Sequence, residues 1–100
     1  MPDSKPAPKQ RGLNIKISDE ELKGRYANLM RASHTREEFI LDFINFIPPQ
    51  GAVTARVIMS PGHLKRLIGA LHTNLKMYED KYGPIHEASE PDPAEGGSIN

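Results

Sequence analysis

The chain predicts an α+β domain, a four-stranded antiparallel sheet followed by one long C-terminal helix, and three observations carry that expectation. Two segments alternate apolar and polar residues, LNIKIS at 13–18 and VTARVIM at 53–59. A nine-residue apolar run, FILDFINFI, lies between them. Beyond them, Leu64, Leu67, Ile68, Leu71, Leu75, Tyr78 and Tyr82 recur at spacings of three, four and seven, the stripe of an amphipathic helix.

In LNIKIS, Leu13, Ile15 and Ile17 share one face and Asn14, Lys16 and Ser18 the other, the pattern of a half-buried strand. Next comes SDEELKGRYANLMRASH. Ser18 with Glu21 has a capping-box pattern, and Leu22, Tyr26, Leu29 and Met30 fall at helical spacing, so a helix over 19–32 competes with a strand over 25–33. Gly24 costs a helix interior roughly 1 kcal/mol, which favours the strand, with DEELKG as a turn or one helical turn.

FILDFINFI, within a strand expected at 38–47, is apolar on both sides. Phe39, Leu41, Phe43 and Ile47 point one way, and Ile40, Ile44 and Phe46 the other. Aromatic and β-branched enrichment and the terminating PPQG favour a central strand over a buried helix. The last strand, 53–59, turns Val53, Ala55, Val57 and Met59 to one face. The helix over 61–82 then starts at SPGH: Ser60 is placed as N-cap, Pro61 takes the first position, where its missing N–H costs nothing, and Met59 is placed to staple against Leu64. Gly83 and Pro84 end it. Such a helix is roughly 33 Å long, and one helix covers one side of a sheet. The face of FILDFINFI that the helix leaves uncovered, with either Ile40, Ile44 and Phe46 or the opposite set holding Phe43 as interface candidates, therefore predicts a homodimer or higher oligomer.

Composition bounds the rest. The 100 residues carry 13 Lys plus Arg against 13 Asp plus Glu, so bulk charge argues against nucleic acid or an anionic membrane as partner. No apolar run approaches the roughly 18 residues of a membrane span and the first dozen residues lack a signal-peptide core, so a cytoplasmic protein is expected. The absence of cysteine removes disulfides, thiolate catalysis and Cys-based zinc sites. Residues 1–12, proline-rich with three basic groups against one acidic, read as a disordered basic tail. Residues 83–100, with four carboxylates and no Lys or Arg, read as a disordered acidic tail. A single domain over 13–82 remains.

GRYANLMRASHTREEFILDF, with YAN, SH and the following EEF and LDF, and the later MSPGH helix start, resemble a family of small bacterial proteins known chiefly as a domain of unknown function. The resemblance covers most of residues 24–82. It implies a strand at YAN and brings no activity or catalytic residue. The implied order, strands and then one long helix, is also similar in topology to the subunit of the export chaperone SecB.

Each candidate site has a plain structural alternative. Ser60, Gly62, His63 and Arg66 form a possible anion site at the helix N-terminus, yet cap and staple account for the same residues. His34 with Glu37 or Glu38 has the composition of an acid/base unit, but a histidine there more often orders a hairpin. Asp42, in an apolar strand, calls for Arg31 or Arg56 as an ion-pair partner. Tyr26 and Asn28 suit a pocket lining or the satisfaction of backbone groups at a sheet edge. His63 and His72, nine apart, lie about 180° around the helix and cannot share a metal. No phosphate loop, HExxH or nucleophile elbow is present. The expected function is a non-enzymatic, oligomeric protein-interaction module without cofactor, chaperone-like in binding extended protein segments; the alternative is a small-ligand or anion sensor at 60–66.

Overall fold

The computed structural model describes residues 13–91. The expected basic tail and the last nine residues of the acidic tail lie outside that range. The element order is α1 (Asp19–Lys23), β1 (Leu29–His34), β2 (Phe39–Ile47), β3 (Gln50–Met59) and α2 (Pro61–Tyr82). The strands form one antiparallel sheet in the order β1-β2-β3. The fold is α+β, with three strands rather than four among the described residues.

The strand expected over 13–18 is absent. Residues 13–18 have neither helix nor strand, and Leu13, Ile15 and Ile17 are all exposed, Ile15 at 75%. Alternation gives a segment a strand's two faces but not its partner, and no strand among the described residues pairs with this one. The strand expected over 25–33 begins only at Leu29. The rival helix over 19–32 survives as the five residues of α1, where Ser18 Oγ accepts from the Glu21 N–H at 3.2 Å and Gly24, at φ 78°, ends the turn. A positive φ suits glycine because it has no Cβ to clash.

The central strand matches its expected position. Leu41 and Ile44 are the buried hydrophobic side chains among the described residues, at 5% and 8% exposure, and both belong to β2. Register places Met30, Phe43 and Ala55 in one cross-strand row and Ala32, Leu41 and Val57 in the next. These lie on one face, called here the apolar face. Arg31, Asp42 and Arg56 form a row on the opposite, mixed face, with Ile40 and Ile44 on either side of it along β2.

One irregularity changes a face assignment. Phe43 opposes Ala55 while Ile44 opposes Val53, so Thr54 is an extra residue on β3, a bulge. Thr54 Oγ1 donates to the Phe43 carbonyl at 3.1 Å. Val53, expected beside Ala55, Val57 and Met59, instead stands opposite Ile44 on the mixed face, because the inserted residue reverses the alternation. The strand also starts three residues earlier than expected. Pro48 and Pro49, joined by a cis peptide, complete the turn alone, which frees Gln50 and Gly51 to pair with Ile47 and Phe46.

The hairpin between β1 and β2 is closed by the Thr35 N–H donating to the Glu38 carbonyl at 2.9 Å, while Thr35 Oγ1 accepts from the Glu37 and Glu38 N–H groups. Helix α2 has the expected bounds and caps. It has no buried residue: Leu64 and Leu67 are half-buried, and Ile68, Leu71, Leu75, Tyr78 and Tyr82 are exposed, Leu71 at 60%.

Gly51 is a close approach between β2 and β3. A Cβ there would meet Phe46 Cδ1 at 2.8 Å and Ile44 Cγ2 at 3.4 Å. The ring lies across the strand pair, where register sets Phe46 opposite Gly51, so it must shift to admit a Cβ. Gly51→Ala should therefore destabilise the domain by about 1–3 kcal/mol, an overpacking cost, and Phe46→Leu in the same chain should restore part of it. Urea unfolding of both variants checks this; an unchanged midpoint for Gly51→Ala would contradict the packing described.

Candidate functional site

The start of α2 is organised around its own cap. Ser60 Oγ accepts from the His63 N–H at 3.2 Å and the Ser60 carbonyl accepts from the Leu64 N–H at 3.0 Å. Arg66 Nη2 lies 3.2 Å from His63 Nδ1, so the guanidinium and imidazole engage each other one turn apart. Gly62 has open space where a Cβ would be. The four residues Ser60, Gly62, His63 and Arg66 are thus brought together at the surface. At the other end the Gly83 N–H, at φ 102°, donates to the Glu79 carbonyl at 2.8 Å and the Ile85 N–H donates to Glu79 Oε2 at 3.0 Å.

Strand β1 ends in a histidine whose ring serves packing. His34 faces Phe39 across the hairpin, with ring centroids 5.1 Å apart and planes tilted by 37°. Edge and face of two such rings attract at this spacing. The ring thus packs on an apolar side chain of β2, in keeping with a part in ordering the hairpin.

The charged row across the mixed face is a built feature. Arg56 holds Asp42 with two hydrogen bonds, Nε to Oδ1 at 2.7 Å and Nη2 to Oδ2 at 2.9 Å, the planar fork of a guanidinium on a carboxylate. Arg31 flanks Asp42 from the other neighbouring strand. The Asp42 carboxylate is 19% exposed and Arg56 61%. The hydrogen bonds from Arg56 hold the Asp42 carboxyl below its ordinary value, an effect that exceeds the opposing desolvation, while Asp42 raises Arg56.

Asn28, in the YAN segment, does the work of a strand residue with its side chain. Its Nδ2 donates to the Phe46 carbonyl at 2.9 Å, its Oδ1 accepts from the Phe46 N–H at 2.8 Å, and its own N–H donates to the Ile44 carbonyl at 3.0 Å. Both backbone groups of Phe46 are thereby satisfied one step before β1 begins. Tyr26, two residues earlier, is exposed.

Three of the interface candidates share the mixed face, Ile40, Ile44 and Phe46, while Phe43 stands on the apolar face beside Met30 and Ala55. Ile44 is buried within the chain itself; the other three are half-buried. On the mixed face, Leu29, Arg31, Phe46 and Val53 line an open groove of about 470 Å³ that Glu90 and Pro91 also border. Among the described residues no three His, Cys, Asp or Glu side chains gather where a metal ion would be held. Among the described residues no helix is long and apolar enough to cross a membrane.

Sequence reasoning named the residues of the cap and the possible partners of Asp42. It missed Gly51, whose closeness to Phe46 depends on the strand register, and the bulge at Thr54, for which no local residue pattern stands out.

Protonation of Asp42 gives a clean test of the charged row. A carboxyl depressed in the folded state contributes stability above its unfolded value, and loses it as pH falls through the folded value. Asp42→Asn should accordingly lower the melting temperature at pH 7, and the gap to the parent chain should close as pH falls below the ordinary carboxylate value of 3.8. Thermal scans of both proteins across pH 2–7 read this directly; a gap independent of pH would show that the ion pair is not its source.

No curated protein and no solved structure matches the chain. The family described as "Protein of unknown function (DUF3467)" matches residues 1–87. This agrees with the motifs YAN, SH with EEF and LDF, and MSPGH, which the structure places at the Asn28 clamp, at the first hairpin and second strand, and at the capped start of α2. The chain belongs to that family.

Proposed function

We propose that the chain is a non-enzymatic protein-interaction module that works in the cytoplasm as a homodimer or higher oligomer and binds extended protein segments in the manner of a SecB-like chaperone. The observation that carries this reading is the apolar stripe of α2, none of which is buried in the single chain. Isolated exposed hydrophobics are ordinary on a protein surface, but a stripe running the length of a 22-residue helix marks an interaction surface. Oligomerisation takes up part of that surface and the remainder accepts apolar side chains of a partner segment.

The anion-sensor alternative draws on Ser60, Gly62, His63 and Arg66. The cap hydrogen bond and the His63–Arg66 contact give those groups partners within the helix, so the interaction module accounts for more of the molecule.

Charge substitutions separate core from interaction surface. Ile44→Asp puts an unpaired charge at a buried position and should unfold the chain, a cost of several kcal/mol. Leu71→Asp should leave the helical circular dichroism intact while lowering oligomer mass in light scattering and weakening protection of an unfolding client from aggregation. A Leu71→Asp chain with parental mass and parental protection would refute the reading. Inorganic phosphate that raised the melting temperature of the parent but not of Ser60→Ala, itself weaker by about 1 kcal/mol of cap energy, would favour the sensor instead.

A further inference from the structure

Residues 13–18 carry a strand pattern without a strand partner. Leu13, Ile15 and Ile17 alternate with Asn14, Lys16 and Ser18, and all six residues are exposed. The sheet, for its part, has two outer edges, β1 and β3. The β1 edge has six residues, and Glu90 lines a groove along it with Ala27, Asn28 and Leu29. The β3 edge is longer, and its stretch beyond the bulge, residues 55–59, has nearly the length of 13–18. An open edge of this kind presents a row of backbone N–H and C=O groups ready for another strand.

We propose that residues 13–18 add as a fourth strand to the β3 edge of a second copy of this chain, so that two chains exchange strands. This rests on the oligomeric reading above and names the surface that joins the copies. The faces agree on both sides of the sheet. With Leu13, Ile15 and Ile17 beside Ala55, Val57 and Met59, the apolar face becomes continuous over four strands. Asn14, Lys16 and Ser18 then fall on the mixed face, in line with the polar row of Arg31, Asp42 and Arg56. A shift of one residue would reverse every one of these placements, so the pattern specifies the pairing by face. Main-chain hydrogen bonds hold the exchanged strand and alternate side chains select it, the physics of strand addition in peptide recognition.

The absence of cysteine makes the exchange testable in the full chain. Ile15→Cys is mixed with Ala55→Cys, Val57→Cys or Met59→Cys, one chain of each pair carrying a short mass tag, and the mixture is passed through mild denaturant to exchange subunits and then oxidised. The expected product is a mixed disulfide of two chains, formed at least about tenfold faster with one of these three than with Arg56→Cys or Ile58→Cys, because a disulfide needs Cβ atoms on the same face. Failure of all three to cross-link overturns the proposal, as do equal rates for the two faces. So does an Ile15→Cys, Val57→Cys double variant that closes its disulfide within one chain at high dilution. A second measurement separates this proposal from the reading beneath it. Ile15→Pro removes a strand N–H and should lower oligomer mass with α2 intact by circular dichroism. If mass and client protection both persist in Ile15→Pro, the exchange is wrong and the interaction module stands. A parent chain that is monomeric and protects no client overturns both.

Discussion

Strand β2 is apolar on both faces, and the single chain has little with which to cover them. Phe39, Leu41, Phe43 and Ile47 require shelter on one side, Ile40, Ile44 and Phe46 on the other, yet among the described residues only Leu41 and Ile44 are buried. A domain of this length has a narrow margin even with a complete core, because hydrophobic gain and chain entropy nearly cancel. The stripe of α2 and the alternating segment at 13–18 are the same shortage seen at two other places. Both are patterned for burial and both lie open.

Polar interactions fix the geometry that the sparse core does not. Arg31, Asp42 and Arg56 meet in one row across three strands, and the fork of Arg56 on Asp42 holds β2 and β3 in register. A slip of β2 by one residue would carry Asp42 to the face of Ala32 and Val57 and turn Leu41 and Phe43 to the charged row. The Asn28 amide secures the entry to β1 through both backbone groups of Phe46, and the bulge at Thr54 turns Val53 toward Ile44. These contacts are exposed or partly exposed, so they serve pairing specificity more than stability. Pairing that is specific and a core that is thin suit a protein whose remaining apolar surface is completed by association.

The parts of this fold that were readable from sequence are those whose causes are local. Helix α2 is bounded by Ser60, Pro61 and Gly83 and patterned by its own stripe, so its limits follow from 24 consecutive residues, 60 through 83. The run 39–47 reads as a strand because β-branched and aromatic residues fill it. What was misread depends on partners distant in sequence. Residues 13–18 have a strand's pattern, but a strand exists only where a neighbour supplies a ladder. The late start of β1 reflects an asparagine side chain that does the pairing in place of backbone, and the early start of β3 reflects a turn completed by two prolines. Of the candidate site, the cap residues were legible because capping is a spacing rule. The choice of Arg56 over Arg31 as the bidentate partner of Asp42 was not, since register sets both arginines opposite Asp42 and only the side-chain geometry singles out one.

The central claim is that association completes the core of this chain, and the dependence of thermal stability on protein concentration tests it most directly. Where folding is linked to assembly, mass action makes the melting temperature rise with concentration. The account predicts a rise of several degrees as the chain is concentrated about a hundredfold through its dissociation range, with dye binding to apolar surface increasing on dilution. A cooperative melting transition at the same temperature throughout, in a chain whose mass in solution stays at 11.1 kDa, would contradict it.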